Sequence, residues 1–155
     1  MNASLRILGL WLIVLPAIFG HTHHEDLAKD QAQFDREKDP VHKAKIMVKL
    51  GRAEFDQIET DATDNNLGKA IARTRQYKAQ VDSVSKALDA TGKNAAKHAA
   101  GFLQLQVSVR DALRRLNNLL VGLTADEQKP FVQVRDNLDV LNRHLMLELF
   151  PSQPK

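Results

Sequence analysis

Histidine supplies the clearest chemistry in this sequence, because three of its six histidines lie close together: His21, His23 and His24. If a leader is removed after Gly20, the mature chain begins with His21. Its free amine, two backbone amides and the imidazole of His23 then form a square-planar set of nitrogen ligands, which suits Cu(II) or Ni(II), and imidazole also binds Zn(II). The spacing therefore predicts a metal site at His21, His23 and His24. A polar, histidine-rich start without a ligand is the alternative.

Residues 1–20 have the order of a secretory signal peptide. One cation, Arg6, precedes an apolar run from Ile7 to Leu15, and Pro16 and small residues follow. The apolar run is shorter than the about 20 residues that a membrane-spanning helix requires. We therefore expect cleavage of this segment, export to the periplasm or out of the cell, and a mature protein that does not span the membrane.

The composition limits the classes of protein to consider. Removing residues 1–20 leaves about 135 residues, the length of one domain. The chain has no cysteine, which excludes disulfides, thiolate metal sites and a lipid anchor on cysteine. Its formal charge of +3 is small, and its single tryptophan, Trp11, lies in the predicted signal peptide. We therefore expect no nucleic-acid partner, because neither a strong basic field nor an indole stacking surface is encoded.

The mature chain repeats its apolar residues at alternating steps of three and four, which is typical of helices that pack along one seam. Proline, glycine and runs of Asn and Asp interrupt this repeat at regular intervals. The resulting division is a signal peptide at 1–20, a polar charged lead-in at 21–40, and a helical bundle at 41–150 with a tail at 151–155. Within the bundle, helical segments A to D cover residues 41–64, 67–91, 94–121 and 125–149.

The matched lengths and short links predict an all-α protein with an antiparallel up-down four-helix bundle. A three-helix bundle and an elongated hairpin dimer are the alternatives, and coiled-coil seams completed between chains leave a homo-oligomer open. In the up-down arrangement, the starts of A and C and the end of D share one pole. That pole would gather His42, His98 and His144 with the histidine-rich start. The heptad positions would also turn Met47 of A toward His144 of D.

The sequence does not favour an enzyme. No serine stands in a Gly-x-Ser-x-Gly elbow, and no glycine-rich phosphate loop is present. Asp39 and His42 have a spacing similar to the Glu-x-x-His motif of di-iron bundles, but they straddle a helix start and cannot project inward together. We expect no catalytic residues, and no cofactor other than Cu or Ni at the histidine-rich start.

The charge distribution indicates a contact surface. Segment B carries five cations and two carboxylates, and residues 93–121 carry five cations and one carboxylate, whereas A and D are acidic. A basic side on the B–C hairpin predicts an anionic partner, either an envelope protein or another anionic envelope component. Charge complementarity between neighbouring helices is the alternative. The residues predicted to form this partner surface are Lys78, Arg110, Arg114 and Arg115.

Two stretches, Asp39–Gly51 and Gly101–Leu116, resemble a family of exported helical-bundle proteins of soil-type bacteria that has no known activity. The resemblance covers most of the mature chain and implies a helical fold and export, but no ligand or site residue. The leading hypothesis is an exported, non-enzymatic helical-bundle protein of the cell envelope with an interaction or structural role. The alternative is a periplasmic or secreted protein that binds Cu(II), Ni(II) or Zn(II) at its mature N-terminus.

Overall fold

A computed structural model describes residues 22–151 of the chain, with side chains described from residue 27 onwards. This part of the chain forms five α-helices and no strand, which confirms the all-α class. The predicted signal peptide at residues 1–20 and the metal candidate His21 lie outside the described residues. The helices are α1 (Thr22–Arg36), α2 (Pro40–Thr63), α3 (Leu67–Asp89), α4 (Ala99–Val121) and α5 (Ala125–Leu149).

The ends of the helices follow local capping chemistry. The carboxylate of Asp39 accepts a hydrogen bond of 2.7 Å from the backbone N–H of His42 at the start of α2. Thr124 and Glu127 form a capping box at the start of α5. Helix α4 begins at Ala99 instead of residue 94, because the backbone N–H groups of Lys97 and His98 donate hydrogen bonds to Asn94 and close a separate turn. The predicted lead-in itself forms helix α1.

The heptad positions predicted that segment A lies beside segment D, with Met47 toward His144, but the helices pack in a different order. Helix α2 contacts α1, α3 and α4, and α5 contacts α4 and α3, but α2 and α5 do not touch within the described residues. The predicted groove between segments A and D is therefore wrong, and A packs against C. Small residues allow this close approach: a Cβ on Gly51 would lie 3.1 Å from Ser108 Oγ, and one on Gly101 would lie 3.3 Å from the Cα of Val41.

Contacts along the helices fix their directions. Helices α2 and α4 run parallel, since Gly101 lies against Val41 near both starts and Arg115 meets Asp56 farther along. Helices α1 and α3 run antiparallel to α2, and α5 runs antiparallel to α4. The contacts that show this are Lys49–Asp30, Arg73–Asp61, Gln106–Asn142 and Gln128–Leu120. One end of the molecule, which we call the connection end, therefore holds the α3–α4 connection (residues 90–98), the starts of α2 and α4 and the end of α5.

The apolar core runs between α2, α3, α4 and α5, and Phe34 of α1 joins it from outside. Its ring contacts centre on Phe55 and Tyr77, whose rings meet edge to face at 5.0 Å. None of the described helices is long and apolar enough to cross a membrane. The largest fully buried side chains include Tyr77, Phe55, Phe131, Met47, Leu50, Ile58, Leu88, Leu105, Leu116, Leu138 and Leu145.

Candidate interaction surface

Helix α1 places His23 and His24 away from the end of the molecule where the other histidines were expected to meet them. Helix α1 contains His23 and His24, and its far end packs near the start of α2, where Lys43 lies over the ring of Phe34. The start of α1 is displaced from Phe34 by about 18 Å along the helix axis at 1.5 Å per residue. His42, His98 and His144 do share the connection end as expected, but His23 and His24 do not join them there, so the gathering of all six histidines at one pole is wrong. Metal binding at His21, His23 and His24 stays a prediction.

The remaining histidines are exposed and separate. His42 lies 4.0 Å from the carboxylate of Asp39, and His144 lies 3.4 Å from the carboxylate of Glu148 on its own helix. Where side chains are described, no group of three histidine, aspartate or glutamate side chains could hold a metal ion. Met47 was expected on the flank facing His144, but it is fully buried because α4 packs over this part of α2.

Arg115, one of the four cations predicted to form the partner surface, is turned into the body of the protein. Its guanidinium group donates 2.7 Å and 2.5 Å hydrogen bonds to the two carboxylate oxygens of Glu59, and a 2.7 Å hydrogen bond to Asp56. It also donates to the carbonyl oxygen of Arg52 and lies 5.6 Å from the ring of Phe55. Its side chain is only 12% exposed, so Arg115 joins α4 to α2 and offers little surface to a partner.

The other three predicted cations remain near the surface but differ in their neighbours. Arg114 donates a 2.7 Å hydrogen bond to Asp111, and Lys78 pairs with Asp82 on its own helix. Arg110 is exposed and forms no ion pair with any described residue. The structure therefore does not unite the four residues in one cluster, because Arg115 faces α2 and each of the others lies on the exposed part of its own helix.

A larger set of unpaired cations occupies α3, α4 and their connection. Within this stretch Asp82 and Asp111 are already paired, so only Asp89 is an exposed carboxylate without an ion pair among the described residues. Three of the cations, Lys86, Lys93 and Lys97, lie at the connection end. The exposed cations that form no ion pair within the described part of the chain are Lys69, Arg75, Lys86, Lys93, Lys97 and Arg110.

Exposed apolar side chains lie at the same end of the molecule. Leu147 is 67% exposed and Phe150 is 61% exposed, and Leu103 and Met146 are also exposed. The heptad pattern did not reveal them, because all four lie outside the seam positions. Large apolar side chains left in water at one end commonly mark a contact with a partner or a membrane.

A buried polar cluster lies beneath α1. Glu54 of α2 is 3% exposed, and Gln76 donates a 3.4 Å hydrogen bond to its Oε1. Gln31 of α1 accepts from Gln80 at 2.7 Å, while Glu54 Oε2 and Gln80 Oε1 accept no hydrogen bond from the described residues. Desolvation by burial raises the pKa of Glu54 to about 7, although Gln80 and the positive charge of Arg73 act in the opposite direction. Glu54 is therefore a carboxyl group that titrates near neutrality.

The chain was compared with protein-family profiles, with curated proteins and with solved structures, and no match was found. The resemblance to exported helical-bundle proteins of soil-type bacteria therefore stays a prediction. The features of this chain that point to a function are the exposed cations, the exposed apolar side chains and the order of the first twenty residues.

Proposed function

We propose that the protein is an exported, non-enzymatic helical-bundle protein of the cell envelope that binds an anionic envelope component. The observation that carries this proposal is the surplus of exposed cations on α3, α4 and their connection that pair with no described residue; among the described residues of this stretch, only Asp89 is an exposed, unpaired carboxylate. Cations that are not neutralised by neighbouring carboxylates create a positive surface potential that attracts polyanions. The helix pair is therefore suited to a partner with repeated negative charge.

We further infer that α2 to α5 form an up-down four-helix bundle and that α1 is an added outer helix. The support is that successive helices from α2 onwards alternate in direction and share one apolar core. In this arrangement Arg115 contributes to the body of the bundle, since it links α4 to Asp56 and Glu59 of α2. The residues that contact the partner are then the exposed cations without an ion pair among the described residues, and three of these, Lys86, Lys93 and Lys97, lie at the connection end.

Export is the second part of the proposal and depends on residues 1–20, whose order of charge, apolar run and small residues matches a signal peptide. The test is to express the full chain and to read the N-terminus of the released protein by mass spectrometry. Cleavage in the region 17–20 supports export, whereas an intact chain retained in the cytoplasm contradicts it. A cut after Gly20 would also create the free amine that the predicted metal site at His21 and His23 requires.

Binding of an anionic polymer tests the proposal that the protein binds an anionic envelope component. The processed protein is titrated with linear polyphosphate by calorimetry at low and at physiological salt, because attraction between exposed charges weakens as salt screens it. The variant K86Q/K93Q/K97Q should bind at least about tenfold more weakly, since each surface cation contributes on the order of 1 kcal/mol to binding a strongly anionic surface. The matched control K29Q/R52Q/K129Q removes the same charge elsewhere. Equal binding by the two variants would contradict the proposal.

A further inference from the structure

We propose that the anionic component is the surface of a lipid bilayer with anionic headgroups, and that the connection end of the molecule is the part that meets it. This inference depends on the proposed function and adds the partner to it. It rests on the occurrence of two kinds of exposed side chain at one end: the cations Lys86, Lys93 and Lys97, and the apolar residues Leu103, Met146, Leu147 and Phe150.

Backbone geometry places the apolar residues together. Asn142 of α5 accepts a 3.2 Å hydrogen bond from Gln106 of α4, which identifies the sides of the two helices that face each other. Met146 follows Asn142 by one helical turn, so it lies on this side of α5. Phe150 is the capping residue that directly follows the last turn of α5. Leu103 precedes Gln106 by three residues and therefore lies on the matching side of α4.

Leu147 extends the apolar group onto the neighbouring, solvent-facing side of α5. It is 67% exposed, although the adjacent Leu145 and Leu149 are buried in the core. Phe150 ends the helix and is followed by Pro151, which prevents continuation of α5. The end of α5 therefore presents aliphatic and aromatic side chains that the core of this chain does not cover.

The cations lie at the same end of the molecule as this apolar group. Lys86 is in the last turn of α3, and Lys93 and Lys97 are in the α3–α4 connection, which leads directly into the turn that bears Leu103. Asp89 is the unpaired carboxylate in this stretch, and Glu148 of α5 lies beside His144. The connection end therefore carries a local positive surplus next to exposed apolar side chains.

The combination favours a bilayer over a soluble polyanion. A soluble polyanion requires cations alone and gains nothing from exposed Phe150 and Leu147. An anionic bilayer offers headgroup charge for the lysines and an acyl boundary for apolar side chains, and lysine stems lie along apolar surface while their ammonium groups stay in water. Attachment of this kind is interfacial and needs no helix that spans the membrane.

The experiment measures binding of the processed protein to vesicles by sedimentation, with phosphatidylcholine vesicles that contain either no or 30% phosphatidylglycerol, and to polyphosphate in parallel. We expect binding to the anionic vesicles to be at least about tenfold tighter than to the neutral ones. The variant L147Q/F150Q should lose most vesicle binding and keep polyphosphate binding, whereas K86Q/K93Q/K97Q should lose both. The control V121Q/V140Q replaces two other exposed apolar residues and should bind like the original protein.

The outcomes separate the two proposals. Binding of polyphosphate without binding of anionic vesicles overturns the bilayer inference and leaves the proposed function standing. Binding of neither overturns both. Vesicle binding that L147Q/F150Q does not weaken removes the role of the apolar group and overturns the inference, as does equal binding to neutral and anionic vesicles. Because every substituted residue is exposed, circular dichroism of each variant should match that of the original protein.

Discussion

The hydroxyl oxygen of Tyr77 lies 3.0 Å from the carbonyl oxygen of Ser108 and 2.9 Å from its Oγ atom, so one buried phenol ties α3 to α4. The Ser108 hydroxyl in turn donates a 3.3 Å hydrogen bond to the carbonyl oxygen of Met47 on α2. Burial raises the pKa of Tyr77, which keeps the phenol neutral and able to donate. Three helices are therefore joined at one polar point inside an apolar core.

Removal of the phenol hydroxyl should be measurable. Tyr77→Phe keeps the ring and its edge-to-face contact with Phe55 but leaves Ser108 Oγ without this partner, so we expect a loss of about 1 kcal/mol in the free energy of unfolding. Urea denaturation measures it, and a double-mutant cycle with Ser108→Ala isolates the pair. An unchanged denaturation midpoint in Tyr77→Phe would show that this hydrogen bond adds nothing to stability.

Gly51 of α2 lies close to side chains of both α3 and α4. A Cβ there would lie 2.8 Å from Tyr77 Cε2 and 3.1 Å from Ser108 Oγ, so Gly51→Ala should destabilise the protein by about 1–3 kcal/mol despite the better helix propensity of alanine. Gly68→Ala is the matched control, because no atom lies within 4 Å of its Cβ position and the chain is helical there. It should stabilise by up to about 1 kcal/mol. Thermal denaturation measures the change in stability of both variants. If Gly51→Ala and Gly68→Ala shift the melting temperature in the same direction, close packing at Gly51 is contradicted.

Arg115 and Arg114 are adjacent in sequence but should differ in their effect on stability. Arg115→Gln removes the bidentate ion pair with Glu59 and the hydrogen bond to Asp56, both made by a largely buried guanidinium group. We expect the free energy of unfolding to fall by about 2 kcal/mol. Arg114→Gln removes one exposed pair with Asp111 and should cost less than about 0.5 kcal/mol. Arg115→Lys should recover only part of the loss, because an ammonium group lacks the planar fork. Equal losses in urea denaturation for Arg115→Gln and Arg114→Gln would refute the structural role of Arg115.

Glu54 should give the stability of the protein a distinctive dependence on pH. Its pKa is raised to about 7 in the folded protein and returns to about 4.5 on unfolding. Because the folded protein holds the proton of Glu54 more tightly, this proton stabilises the folded state. The stabilisation is fully present below about pH 4.5 and is lost as the pH rises through 7, which lowers the free energy of unfolding by up to about 3 kcal/mol. Glu54→Gln removes this titration and leaves every other ionisable group in place. The unfolding free energy of Glu54→Gln minus that of the original protein should rise between pH 5 and pH 7.5; a flat difference would contradict the raised pKa.

The sequence indicates where the helices lie along the chain, but it does not indicate which helices pack against each other. The three-and-four repeat and the residues that interrupt it indicate where α2, α3 and α5 lie, since both signals are local. The choice of α4 rather than α5 as the neighbour of α2 is not local. It depends on the fit of Gly51 and Gly101 against side chains from other helices, and a heptad pattern does not encode which seam faces which.

The charged surface shows the same limit. Arg114 and Arg115 differ by about 100° around α4, so one faces water and the other faces α2. The sequence gives their charge but not the position of α2, and both were expected on the partner surface. The buried position of Glu54 was also missed, because the polar residues that surround it belong to α1 and α3.

The packing of α2 on α4 has a consequence for how the chain folds. Met47 and Ser108, which meet at this interface, are 61 residues apart in sequence, with all of α3 between them. A hairpin of α2 and α3 alone therefore leaves open the side of α2 that packs against α4, and this side is covered only when the chain through α4 is available. Because such distant partners must find each other before their contacts contribute, the protein should fold more slowly than a bundle of sequential hairpins.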